Sequence, residues 1–124
     1  MKARLSQSSL GITSMSLAVA AACAPAVTLT PLGDQGTYPA TPDSVAVPLY
    51  ATTRPECPYD EIAAITVEDA KEDKALSALI AKARAVGAHA ILGYNQSTRS
   101  VGEISSTYVR SGTAIRYRST ECMR

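Results

Sequence analysis

The residues that could do chemistry in this chain are few and widely spaced. The single histidine, His89, has no cysteine or second histidine at the spacing of metal ligands. Four carboxylates lie close together, at Glu68, Asp69, Glu72 and Asp73. Pairs of them one helical turn apart could hold a hard cation, but a stable helix also begins with such a cluster. No serine or threonine has a recognisable base beside it. We therefore predict no catalytic residues, no bound metal and no cofactor.

Cys23 carries the clearest chemical prediction. The sequence Leu17-Ala-Val-Ala-Ala-Ala-Cys23 resembles a bacterial lipobox, in which small residues precede the cysteine that becomes a lipid-bearing N-terminus. A short basic region and an apolar stretch, Leu10 to Ala22, come before it, as in a secretory leader. That stretch is too short to span a bilayer. Residues 1–22 are therefore predicted to be a lipoprotein signal peptide.

The alternative is an ordinary secreted protein cut after an Ala-x-Ala site at Ala22-Cys23-Ala24. Pro25 would then follow the cut, and proline is unfavourable there. In the lipoprotein interpretation, Cys23 carries a diacylglycerol thioether and an amide-linked acyl chain, and two or more chains anchor firmly to a bilayer. The residue after the cysteine is Ala24 and not an aspartate, which resembles the pattern of lipoproteins sorted to the outer membrane. We expect an extracytoplasmic protein anchored in the outer membrane or at the cell surface.

The other two cysteines, Cys57 and Cys122, then form an even pair. Outside the cytoplasm they are expected to oxidise to a disulfide. A bridge across so long a loop contributes about 4 kcal/mol by the chain-entropy estimate. The alternative is two free thiols, one in a loop and one in the C-terminal tail.

Composition limits the remaining possibilities. The chain has 124 residues, no Trp and no Phe, so a small domain must build its core from aliphatic residues and tyrosines. The formal net charge is +1, which gives no strong attraction to nucleic acid. Prolines and glycines between residues 23 and 44 indicate a tether between the lipid and a domain at 45–124. That tether has room for a short strand at 26–32.

The domain is organised around a helix that runs directly into a strand. Apolar residues at helical spacing, among them Leu76, Leu79 and Ala83, predict a helix that begins at Glu68. Gly87 supplies the left-handed residue that ends it. Strands are predicted at 45–50 (an edge strand, because of its proline), 59–67 and 89–97, with a turn at 98–102. The predicted fold is α+β, with one helix on a four- or five-stranded mixed sheet in the order β-β-α-β-β.

The C-terminal part contains two stretches of β-forming residues, 104–109 and 113–118. Ser111-Gly112 between them is either a tight hairpin or a bulge in one long bent strand. We favour the bulge, because a hairpin would leave two very short arms. In the second stretch Thr113, Ile115 and Tyr117 face one way, and Arg116 and Arg118 face the other.

Aromatic and basic residues suggest an interface in the same region. A sheet face that exposed tyrosines beside arginines would have the composition favoured at protein interfaces. The candidate residues are Tyr94, Tyr108, Arg110, Arg116, Tyr117 and Arg118. The alternative is that the tyrosines cover the core with their hydroxyls in water.

Two short motifs resemble a known family. Ala81-Lys-Ala-Arg-Ala-Val-Gly-Ala-His-Ala-Ile-Leu92 and Ser111-Gly-Thr-Ala-Ile-Arg116 are similar to signatures of the small β-α-β-β proteins of the RcsF and YbjQ (heavy-metal-binding) families. The resemblance covers roughly residues 44–118 and implies helix-strand packing. RcsF-like proteins are lipid-anchored and disulfide-linked, but they use four cysteines where this domain has two. Their bond pattern and signalling role therefore do not transfer.

The leading interpretation is a membrane-anchored, non-enzymatic binding or sensing module of the bacterial envelope. Its partners would be the bilayer, through Cys23, and an envelope protein or a second copy of the chain. The second interpretation is a small metal-binding protein of the YbjQ type, for which His89 and the acidic cluster would be the candidates. An enzyme is the third and is the least supported, because no catalytic set is visible.

Overall fold

Alternating apolar residues build a five-stranded sheet with one helix on it. The computed structural model describes residues 24–33, 36–102 and 105–123. The elements are β1 (Ala26–Pro31), β2 (Leu49–Tyr50), β3 (Tyr59–Asp69), α1 (Glu72–Ala85), β4 (Ala90–Val101), β5 (Ser105–Tyr117) and a 3-10 helix (Thr120–Met123).

The strands lie in the order β1-β3-β5-β4-β2. β1, β3, β5 and β4 pair in antiparallel fashion, while β2 pairs parallel to β4 at the edge. This confirms the predicted α+β fold with a single helix on a four- or five-stranded mixed sheet, and β1 is the short strand for which the predicted tether had room at 26–32. β3 and β4 run in the same direction with β5 between them, so α1 connects two strands that are not neighbours.

One face of the sheet is covered by α1. Ile65 and Val67 of β3, Ile91 of β4 and Ala114 of β5 meet the helix there. Leu79 of α1 packs among them and is fully buried. Burial of these side chains is the main source of stability, at about 25 cal/mol for each Å² of apolar surface removed from water. We call this the helix face.

The helix begins four residues later than predicted. Glu68 and Asp69 are the last residues of β3, where they pair with Val109 and Tyr108 of β5. The carboxylate of Asp69 accepts a hydrogen bond of 2.8 Å from the backbone N–H of Lys71. The ladder to β5 therefore extends the strand, and only two of the four predicted first-turn acids, Glu72 and Asp73, lie in the first turn.

The predicted end of the helix is confirmed. Gly87 has a φ of +87°, a left-handed conformation that residues with a side chain rarely adopt. A Cβ at this position would also lie 2.7 Å from the backbone oxygen of Pro39. Two separate constraints therefore require glycine here.

β5 passes through Ser111-Gly112 as one continuous strand, so the hairpin alternative is excluded. The predicted bulge is not in β5 itself, because the extra residues lie on its neighbours: between Glu61 and Ala63 of β3 and, opposite Gly112, between Leu92 and Asn95 of β4. A Cβ on Gly112 would collide with Cγ2 of Ile91, so this glycine serves close packing. The predicted turn at 98–102 is also corrected, because β4 stays paired with β5 as far as Val101.

The described part of the predicted tether is packed on the domain. β1 pairs with β3 along its whole length. Further along, Thr41 is 7% exposed, and its hydroxyl donates a 2.7 Å hydrogen bond to the carbonyl oxygen of Ala88. Arg84 of α1 donates to the carbonyl oxygen of Val45 at 2.6 Å. These contacts hold the proline-rich segment against the end of the helix. Cys23 and the predicted signal peptide lie outside the described residues.

Cys57 and Cys122 form a disulfide, as the cysteine count predicted, with their Cα atoms 6.1 Å apart. The bridge joins the loop before β3 to the 3-10 helix after β5. It closes the end of the sheet where β3 begins and β5 finishes, and we call this end the disulfide end. Within the described ranges, no helix is long and apolar enough to cross a bilayer.

Candidate functional site: the open face of the sheet

On the face opposite α1 the strands remain partly accessible. Strand alternation and register place one residue from each of four strands in a row across it, in the order Thr28, Thr66, Ser111 and Asn95. Thr30, Ala64 and Thr113 form a second row beside the first. We call these seven residues the open patch. All are exposed or half-buried, and none is charged.

The open patch is rich in hydroxyl groups. Four of its residues are threonines and one is a serine, so it presents methyl groups and groups that donate and accept hydrogen bonds. Because its backbone is tied into a sheet of paired strands, the side chains are held in a fixed array. The backbone under the patch is already ordered before a partner binds, so binding would cost little backbone conformational entropy on this side of the interface. The patch can therefore offer hydrogen bonds and methyl contacts to a partner.

A tyrosine cluster borders the open patch at the disulfide end. Tyr50, Tyr59 and Tyr117 pack around a second buried apolar group, formed by Ala90, Leu92 and Ile115. Burial, followed by a hydrogen bond with Tyr50, raises the pKa of Tyr117. The cluster thus covers apolar side chains on the face that the helix leaves free.

His89 is part of this cluster. Its ring stacks on that of Tyr117, with the centroids 5.8 Å apart, and its Nδ1 accepts a 3.0 Å hydrogen bond from the backbone N–H of Tyr117. Burial and, second, the positive charge of Arg116 lower the pKa of His89. The neutral ring therefore has one nitrogen in structural use. Across the three described ranges, no group of three or more His, Cys, Asp or Glu residues is placed to hold a metal ion.

The predicted interface residues do not lie on one surface. Tyr94, Tyr108 and Arg110 lie on the helix face, while Tyr117 lies on the open face. Arg118 is exposed and pairs with Asp60 at 2.9 Å. Strand alternation explains the split, because successive residues of β5 point to opposite faces.

The other two arginines also have partners within the domain. The side chain of Arg110 is 4% exposed and pairs with Glu72 at the start of α1, with 3.4 Å between nitrogen and oxygen. Arg116 places its guanidinium 4.4 Å from the ring centroid of Tyr38 and donates a hydrogen bond to the carbonyl oxygen of Gly87. Tyr94 and Tyr108 pack against the core. This arrangement matches the alternative in which the tyrosines cover the core.

Sequence reasoning did not identify the open patch. Its pattern was present in the sequence, because Thr28 and Thr30, like Ser111 and Thr113, are two residues apart and must share a face of a strand. What the sequence lacked was the register, which brings β1, β3 and β5 side by side. Hydroxyl residues on separate strands form a surface only once that register is known.

Comparison with known proteins supports the fold and leaves function open. No family model and no curated protein matches the chain. Among solved structures, the chain is similar to the crystal structure of a Francisella virulence factor, FvfA. The two are 21% identical, the match covers 73% of this chain and 97% of that one, and the TM-score is 0.53. At this level of identity the similarity concerns the fold alone.

Proposed function

We propose that this protein is a lipid-anchored, non-enzymatic binding module of the bacterial envelope, and that the open patch is its docking surface for an envelope protein. The observation that carries the proposal is the patch itself, an uncharged array of hydroxyl side chains fixed on the face that α1 leaves free. A surface of this kind offers shape and hydrogen bonds to a protein partner.

Two further observations support the location. The lipobox-like sequence ends at Cys23, three residues before β1 begins. The Cys57–Cys122 bridge suits a compartment that is oxidising, which the cytoplasm of most bacteria is not. Anchor and bridge together favour a protein that works at a membrane surface outside the cytoplasm.

The test is site-specific photocrosslinking in intact cells. A benzophenone amino acid replaces Thr66 in the centre of the open patch, and in a matched variant it replaces Ser77 on the exposed side of α1. We expect a discrete crosslinked product from position 66 and none from position 77. Adding Thr28→Arg to the position-66 variant places a charge in the patch and should abolish the product. Equal crosslinking from both positions would contradict the proposal.

A further inference from the structure

We infer that the domain rests directly on the bilayer, and that the end of the sheet formed by the start of α1, the end of β4 and the start of β5 contacts the lipid headgroups. This inference rests on the proposed acylation of Cys23. It adds an orientation and a second contact with the lipid surface. We call this end of the molecule, opposite the disulfide end, the hairpin end.

The link between Cys23 and β1 is short. Only Ala24 and Pro25 separate Cys23 from Ala26, the first residue of β1. Three Cα-to-Cα steps span at most about 10 Å, even when fully extended. Ala24 also lines a cleft together with Lys71, Lys74 and Thr107 of the hairpin end, so the link starts beside the domain. An acylated Cys23 would therefore hold this end close to the membrane.

The strands of the hairpin end extend beyond the row of Ala26, where β1 begins. Ala26 lies in the same row as Glu68 and Val109, and β5 extends four residues beyond that row, to Ser105. Four residues of strand extend about 13 Å at about 3.3 Å each. Neighbouring strands rotate by about 20–25°, so two steps across the sheet reduce this projection along β1 to about 9 Å. The hairpin end thus reaches about as far as Cys23 can.

The hairpin end carries charged side chains of both signs. Glu68 pairs with Arg99, and Glu72 pairs with the buried Arg110, so these two acidic groups are neutralised within the domain. Asp69 lines the same cleft as Ala24, and Asp73 lies in the first turn of α1; their charges are balanced by the exposed Lys71 and Lys74. An anionic bilayer would therefore neither attract nor repel the described part of this surface strongly, so the short link is what would hold it there. Ser105 and Ser106, which come before Thr107 at the start of β5, are exposed and polar, and such side chains suit the headgroup layer.

The orientation also fits the proposed docking surface. The strands run away from the membrane when the hairpin end rests on it, so the open patch lies on a side of the domain and stays accessible. The disulfide end, with its tyrosine cluster, is then the part farthest from the bilayer. A protein partner could approach the patch without displacing the lipid contact.

The experiment measures the distance of two sites from the bilayer surface. The acylated full-length product is purified from bacterial membranes and placed in phosphatidylcholine–phosphatidylglycerol vesicles that contain a lipid with a nitroxide headgroup. One variant carries Ser106→Cys at the hairpin end and its matched control carries Ser44→Cys, another exposed serine, near the other end of α1. Each is labelled with the same fluorophore. We expect the nitroxide to quench position 106 several-fold more strongly than position 44.

A third variant tests whether the short link causes the contact. Twelve glycine and serine residues are inserted between Pro25 and Ala26 in the Ser106→Cys background. We expect quenching at position 106 to fall to the level of position 44. Persistent quenching would overturn a contact held by the link.

Mass spectrometry of the same samples separates the two proposals. An acylated Cys23 with equal quenching at positions 106 and 44 would overturn the bilayer contact and leave the lipid anchor intact. A product without acyl groups would overturn both.

Discussion

The two faces of the sheet use the same strands for different purposes. On the helix face, Ile65, Leu79 and Ala114 are buried to 1% exposure or less. On the open face, Thr28 and Asn95 are exposed, and Leu92 and Ile115 are buried under the tyrosine cluster. The contrast indicates that apolar burial is concentrated on the helix face, while the side chains of the open patch stay accessible to solvent.

Removal of the disulfide is expected to have the largest effect on the free energy of unfolding, because the bridge closes a long loop. The bridge lies at the end of the sheet where the open face also has a buried apolar group. The bridged cysteines are 65 residues apart in the sequence. By the loop-entropy estimate, replacing both, Cys57→Ser with Cys122→Ser, should lower the free energy of unfolding by about 4 kcal/mol. Urea unfolding of the mature chain measures this. An unchanged midpoint would show that the bridge does not restrict the unfolded chain.

The second prediction compares the faces directly. Leu79→Ala removes a fully buried side chain from the helix face and should cost about 3 kcal/mol, because it leaves a cavity. Thr66→Ala on the open patch should cost about 0.5 kcal/mol or less. Parallel urea titrations give both values. Similar losses at the two positions would mean that the open face is part of the core.

The third prediction concerns the middle of β5. Gly112→Ala places a methyl group against Cγ2 of Ile91, so the strands must shift, at a cost of about 1–3 kcal/mol. The neighbouring change, Ser111→Ala, points to the open face and is the matched control. Thermal unfolding of the two variants should separate them clearly. Equal melting temperatures would contradict the close packing at Gly112.

The smallest expected effect depends on pH. Burial and the charge of Arg116 lower the pKa of His89 below its ordinary value of 6.5. The folded state favours the neutral ring, so the unfolded chain binds the proton first on acidification. The contribution of His89 is complete above the unfolded pKa and is lost as the pH falls through the lower, folded pKa.

Unfolding measurements between about pH 8 and pH 5 check this against His89→Gln, which has no titrating ring. We expect the stability difference between the parent chain and the variant to shrink on acidification. A difference that stays constant or grows as the pH falls would reverse the proposed sign.

Local patterns in the sequence were sufficient for much of the fold. Helical spacing around Leu79, the glycine at position 87 and the pairing of two cysteines each depend on nearby residues or on counting, and each prediction is confirmed. The predicted start of α1 was wrong because Glu68 and Asp69 pair with β5 as the last residues of β3. That pairing is non-local, so the acidic cluster alone could not reveal it.

The surfaces were harder to predict for the same reason. Tyr108 and Tyr117 were grouped by composition, yet an odd separation along one strand places them on opposite faces. The open patch needs the register of four strands, including β1, for which the sequence allowed a short strand at 26–32 but gave no partner strand. The tether itself shows how prolines can mislead, because Pro31 ends a paired strand and Thr41 is buried against Ala88.

The most direct test of the account is mass spectrometry of the intact protein recovered from the membranes of a bacterium that processes lipoproteins. We predict a chain that begins at Cys23, carries a diacylglycerol and an amide-linked acyl chain, and has the mass of an intact Cys57–Cys122 bridge. Recovery from the cytosol, with the first methionine in place and no fatty acid, would contradict the account.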